Sequence, residues 1–161
     1  MAIAATWVLL AYRLPREPSG PRVTVWRKLR RLGAVQLVDG LVALPESGQN
    51  RERFDWLADE IVEAGGEAWT FAATPGSKAQ QRALSERRAD VAAQDALTLL
   101  DEAAALLESD GRPHRRTVER IRRDLRRVED GDGLSPKDRT RVRRTIDRLA
   151  MSLDVAEEST P

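Results

Sequence analysis

The chain has 161 residues, a formal net charge of +1, 33% charged and 4% aromatic residues, and no cysteine. That length suits one domain, or a small domain with a helical extension, and the lack of cysteine excludes a disulfide framework, a thiolate metal site and a cysteine nucleophile, as fits a reducing cytoplasm. The near-neutral total hides blocks of opposite sign: seven basic against three acidic residues over 1–50 (+4), two against six over 51–76 (−4), four against seven over 77–110 (−3), fourteen against seven over 111–148 (+7), and −3 in the tail.

The opening apolar run is only about a dozen residues long with no basic residue before it, too short to span a bilayer and without a signal-peptide n-region. It reads as a buried strand over residues 6–14, apolar on both alternating faces and ended by Pro15. A helix follows Ser19 and Gly20, with Pro21 in the first turn, and stops at Gly33, a residue suited to a left-handed C-terminal conformation. Val25, Leu29 and Leu32 make its apolar stripe, with Trp26 beside it. Asp39 and Gly40 between two short apolar runs, 35–38 and 41–44, are a two-residue hairpin signal. The second helix is expected after Asn50, burying Phe54, Leu57, Ala58 and Ile61 and ending at Gly65 and Gly66, before a last strand over 67–74 with Trp69, Phe71 and Ala73 on one side.

Strand, helix, two strands, helix, strand is the split βαβ order, and the expected fold class is α+β: a ferredoxin-like βαββαβ domain over 1–76 and a helical extension of about three helices over 77–161. Both helices of such a domain lie on one sheet face. The apolar second face then needs a cover, either the extension or the sheet of another copy.

In the extension, a long helix ends near Glu108 with a stripe of Leu84, Val91, Leu97, Leu100, Ala104 and Leu107, and the stretch from Ser109 to Pro113 breaks it. Val118, Ile121, Leu125 and Val128 match Val142, Ile146, Leu149 and Leu153 in length and chemistry, which predicts an antiparallel pair, the second helix starting at Ser135 and Pro136 with Asp138 completing a cap. Glu119 with Arg123 and Arg120 with Asp124 are candidate i,i+4 ion pairs.

Several segments carry a family resemblance: YRLPREPS, VWRKLRRLGAV and LVALP in the first forty-five residues, and FDWLADEIVEAGGEA over 54–68. They resemble the N-terminal domain of the chromate-resistance regulatory protein ChrB, with good specificity over about the first seventy-five residues and only a similar pattern of charged helices beyond. The resemblance implies a transcriptional regulator of a chromate-resistance operon whose binding to operator DNA is relieved by chromate, an oxyanion that arginines can hold; the apolar second sheet face adds the expectation of a homodimer. Longer family members carry a second domain after the helical region, so the resemblance bears on operator binding more than on sensing. The expected fold is also similar to the central domain of PaaX-type repressors and to small Cas2-type nucleases. The latter place a metal-binding aspartate where this chain has Tyr12, Arg13 and Leu14.

The candidate binding residues are Arg22, Arg27, Lys28, Arg30 and Arg31 of the first helix, since cations one turn apart on a rigid helix can contact neighbouring phosphates of a duplex. The same residues also read as a solvated face, because twenty-four of the twenty-seven basic residues are arginine, the residue a GC-rich genome writes freely on helix surfaces. The alternating signs over 115–148 favour a solvated, salt-bridged bundle. Trp56, set toward Glu52, Asp59, Glu60 and Glu63, suits contact with an arginine from another element. His114 has no second ligand at metal spacing, and the Asp130–Gly133 stretch lacks the later ligands of a calcium loop. No catalytic constellation, cofactor motif or metal site stands out, and the chain reads as a cytoplasmic, non-enzymatic regulator without membrane attachment. The other reading is a protein-interaction or oxyanion-sensing module that never touches DNA and acts through a separate chain.

Overall fold

The structure is a computed structural model that describes residues 5–109, 114–131 and 133–158. Over these described residues it is α+β, with one four-stranded antiparallel sheet and five helices: β1 (Trp7–Arg13), α1 (Gly20–Leu32), β2 (Val35–Val38), β3 (Leu41–Pro45), α2 (Gly48–Glu63), β4 (Glu67–Ala73), α3 (Lys78–Glu108), α4 (Arg115–Asp130) and α5 (Pro136–Glu158). The chain divides within α3 into two compact units, Met1–Arg88 and Ala89–Pro161. Among the described residues no helix is long and apolar enough to cross a membrane.

In the first unit the strand order is β2-β3-β1-β4, and β1 pairs antiparallel with both β3 and β4. Hydrogen-bonded on both edges, β1 must also be apolar on both faces. Val8 and Leu10 point to the helix face and pack with Val42 and Leu44 against Val25 and Leu29 of α1 and Phe54, Leu57 and Ile61 of α2. Trp7, with Leu9 beside it, belongs to the opposite face, where Val35, Ala43 and Leu84 of α3 close a smaller core. Trp7 is only 3% exposed, and its indole N–H donates to Gln81 Oε1 at 3.4 Å.

The expectation of a covered second face therefore holds for part of it. The first turns of α3 shield the Trp7 region. At the β4 edge, Trp69 and Phe71, which pair across to Ala11 and Leu9, remain 68% and 52% exposed.

The predicted helix limits hold for α1, where Gly33 takes φ +69° and its N–H meets Arg30 O at 3.0 Å. The start of α2 needs correcting. Ser47, not Asn50, is the cap: its hydroxyl accepts the Asn50 N–H at 3.0 Å, while Asn50 turns its side chain back to donate to Pro45 O at 2.8 Å. A serine three residues before the expected start satisfies the first-turn donors better than a residue already inside the helix.

In the second unit, Val118, Ile121 and Leu125 of α4 and Val142, Ile146 and Leu149 of α5 share one core with Ala96, Leu100 and Ala103 of α3, as the matched stripes predict. Arg143 of α5 pairs with Glu129 at 2.7 Å, the antiparallel arrangement that so short a connection requires. Ser135 and Asp138 form the expected cap, with the Asp138 N–H on Ser135 Oγ at 3.1 Å. The single stripe expected along α3 is corrected: Leu84 belongs to the first unit, whereas Ala96, Leu100 and Ala103 serve the second and Leu97 is exposed. A helix with partners in two cores cannot keep one apolar face. The expected break after Ser109 falls largely on residues 110–113, outside the described residues.

One contact clips the hairpin to β1. The Tyr12 N–H donates to Gly40 O at 2.7 Å, Gly40 has φ +74°, and a Cβ there would sit 2.5 Å from Tyr12 O. A side chain at Gly40 meets both a left-handed backbone and a carbonyl. Gly40→Ala is expected to lower the stability of the first unit by roughly 1–3 kcal/mol. The check is denaturant titration followed by tryptophan fluorescence, since Trp7, Trp26, Trp56 and Trp69 all lie in that unit. An unchanged midpoint contradicts the clip.

Candidate functional site

Helix α1 contains five basic residues and no acidic one. Burial of Val25 and Leu29 against the sheet fixes its rotation, so Arg22, Arg27, Lys28, Arg30 and Arg31 all fall on the exposed arc. All five predicted residues are thus exposed, spread over about two thirds of the helix circumference, and their environments differ.

Arg27 and Arg31 lie one turn apart, and among the described residues neither forms an ion pair. Lys28 turns toward α2 and pairs with Glu60, so its charge is partly answered within the unit. The Arg30 guanidinium lies over the Trp26 ring, 5.3 Å from its centroid. Such stacking holds a long side chain in place while leaving its charge at the surface. Arg22, near the start of the helix, acts on Tyr12 through space. Arg30 and Arg31 also sit in the last turn, where the helix dipole favours cations. Arg27, in mid-helix, has no such reason to be basic.

Sequence reasoning placed Trp26 beside the core stripe, yet it is 54% exposed. The i,i+4 spacing of an aromatic and an arginine is the signal that reveals its role as a platform for Arg30. Trp56 on α2 is 66% exposed, and among the described residues its ring carries no cation.

The basic residues of α4 and α5 divide into two groups. Arg115 pairs with Glu119 at 2.8 Å, Arg120 with Glu102 at 2.9 Å and Asp124 at 3.7 Å, and Arg127 with Asp124 at 3.6 Å. The expected Glu119–Arg123 pair gives way to Arg115–Glu119, one turn in the other direction, while Arg120–Asp124 forms as expected. Arg139 caps α4 through Gly131 O at 2.8 Å and Glu129 O. Among the described residues no cluster of three or more His or acidic residues is placed to hold a metal ion, and Asp132 of the rejected calcium loop lies outside those residues.

Tyr12 is the only tyrosine and reports on the α1 end of the site. Burial pushes its phenol above the usual value, Arg22 opposes that shift, and Asp39 adds to it. A raised phenol favours the neutral form, so this contribution to stability is present below about pH 10 and is lost as pH rises through the folded value. In an absorbance titration near 295 nm, the native midpoint is expected above that of the denatured chain. Arg22→Ala is expected to raise it further. An unmoved midpoint removes Arg22 from this position.

The family model described as Protein ChrB, N-terminal, matches residues 22–107, a segment that begins at Arg22 and runs through nearly all of α3. A curated relative, Protein ChrB of Cupriavidus metallidurans (strain CH34), is 32% identical over 128 residues, covering 73% of this chain and 39% of the relative. The aligned chain thus spans about two fifths of that relative's length. No solved structure matches the chain.

Proposed function

Because this chain belongs to the ChrB N-terminal domain family, we propose that it acts in chromate resistance as a cytoplasmic, non-enzymatic transcriptional regulator that binds operator DNA. The observation that carries this reading is α1, a rigid helix with five exposed cations, no acid, and an arginine held on an indole. Arg27 and Arg31 would reach adjacent phosphates, Arg22 and Arg30 would flank them, and Lys28 would contribute least because Glu60 competes for it. Relief of binding by chromate follows from the family resemblance and is part of the proposal.

The strand order β2-β3-β1-β4, with β1 inside the sheet and both α1 and α2 on one face, supports a ferredoxin-like reading of the first unit. We read the exposed Trp69 and Phe71 as the face on which a second copy docks. Large aromatics in a two-fold interface bury much area at low entropic cost, and a two-fold dimer presents two α1 helices to a palindromic operator.

A second reading is a protein-interaction module. Trp56, exposed beside Glu52, Asp59 and Glu63 on α2, favours it, because an acidic aromatic surface suits an arginine of another chain.

Mobility-shift titrations of the DNA upstream of its own gene, at several salt concentrations, separate the two readings. The parent is expected to bind. Arg27→Glu with Arg31→Glu is expected to cut affinity at least tenfold and to reduce the slope of log K against log salt by about 2, at roughly 0.9 per lost phosphate contact. An unaltered slope removes α1 from the interface, and a parent that binds no upstream DNA favours the interaction module.

The dimer has its own test in sedimentation velocity at tens of micromolar protein. Trp69→Glu with Phe71→Glu is expected to convert a dimeric parent to a monomer with unchanged circular dichroism. A monomeric parent refutes the docking face.

A further inference from the structure

The second unit holds a groove of about 580 Å³ between α3 and α5, floored by Leu100 and Leu107 and walled by Lys137, Arg141, Arg144 and Arg148. These four cations recur at i, i+4, i+7 and i+11 of α5, so they form one stripe. At 1.5 Å of rise per residue, the stripe is about 16 Å long with steps of about 4.5–6 Å. All four are exposed, no acidic side chain lines the groove, and among the described residues none of the four forms an ion pair. The contrast lies within the same unit: Arg115, Arg120, Arg127 and Arg143 are paired with Glu119, Glu102, Asp124 and Glu129. Four like charges kept together without counter-charges destabilise a fold, which calls for an anion to answer them.

The geometry selects the kind of anion. A small oxyanion reaches one or two neighbouring cations, not a stripe of this length. The hydroxyls that line the groove are already engaged, Thr140 donating to Pro136 O and Thr145 to Arg141 O, so they give a compact anion no donors. An acidic peptide helix needs apolar anchors, and the floor offers little: Leu100 is buried and Leu107 half-buried. A polymer with a negative charge at each repeat meets all four cations at once.

We propose that the groove between α3 and α5 seats one strand of a nucleic-acid backbone, with Lys137, Arg141, Arg144 and Arg148 on successive phosphates. The contact carries no base recognition, and all four residues lie outside the segment 22–107 that matches the family. It rests on the nucleic-acid reading of α1 for its biological sense, but it uses separate residues and can be tested separately.

The test uses the full chain, a labelled duplex of random sequence, and the upstream DNA. The random duplex reports backbone contact alone. Four phosphates at roughly 0.9 each predict a contribution of about −3.6 to the slope of log K against log salt. Arg141→Gln with Arg144→Gln keeps helix-forming side chains, and its folding is checked by circular dichroism. It is expected to flatten the slope by about 2 and to weaken random-duplex binding at least tenfold. Arg123→Gln with Arg126→Gln removes the same charge from the exposed face of α4, away from the groove, and is expected to leave the slope within about 0.5 of the parent. Equal effects of the two pairs, or a groove variant with the parent's slope, overturn the proposal. So does a parent that leaves random duplex unbound at low salt. Random-duplex binding that depends on Arg141 and Arg144, without preference for the upstream DNA, supports the groove while removing the operator reading.

Discussion

The first unit depends on β1 being enclosed on four sides. Its edges are hydrogen-bonded to β3 and β4, Val8 and Leu10 are buried under α1 and α2, and Trp7 is buried against Leu84 on the opposite face. Burying a large apolar side chain stabilises by about 1.5–3 kcal/mol, and this strand does so in both directions. Because the helix-facing side of β1 is apolar along its length, α1 must press Val25 and Leu29 onto it, which leaves its cationic arc no direction but outward. The exposed row of arginines is thus a consequence of core packing as much as of surface composition.

Charge follows a division of labour in each unit. On α1, Lys28 is answered by Glu60, while among the described residues Arg27 and Arg31 form no ion pair. In the helical unit, acids answer some arginines and leave others. Surface ion pairs of this kind are worth little individually, with a median of about 0–1 kcal/mol. They leave the α5 stripe of Lys137, Arg141, Arg144 and Arg148 as a group without ion pairs among the described residues. The +7 block of the sequence is therefore not one uniform surface.

Much of this was legible in the sequence because the relevant signals are local. Gly33, Gly40 with Asp39, and the Ser135 cap each sit where only a few residue types satisfy the backbone, and the stripes of α4 and α5 have a single core to face. Features set by tertiary partners were not legible. The two-core allegiance of α3 depends on where the sheet ends, which no periodicity encodes. The cap of α2 was misplaced by three residues because Ser47 and Asn50 are both good cap formers, and the choice turns on Asn50 reaching Pro45 O. Among the site residues, the exposure of α1's arginines followed from its stripe, but the stacking of Arg30 on Trp26 did not. Nor did the sorting of arginines over 115–148, since every one of them has at least one acid within one helical turn and the outcome depends on Glu102 from α3 as well.

The pairing of Trp7 with Ala73 makes the N-terminal strand wait for the chain. Until about sixty further residues have been synthesised, β1 lacks its second edge, and loop closure over that span precedes any gain from the contacts it brings together. The helical unit meets no such delay, because α4 and α5 are neighbours in sequence and their contacts are local. During synthesis the first unit begins first and closes late, with an apolar strand edge unpaired in the interval. An exposed edge of that kind invites pairing with another nascent chain until β4 arrives to cover it.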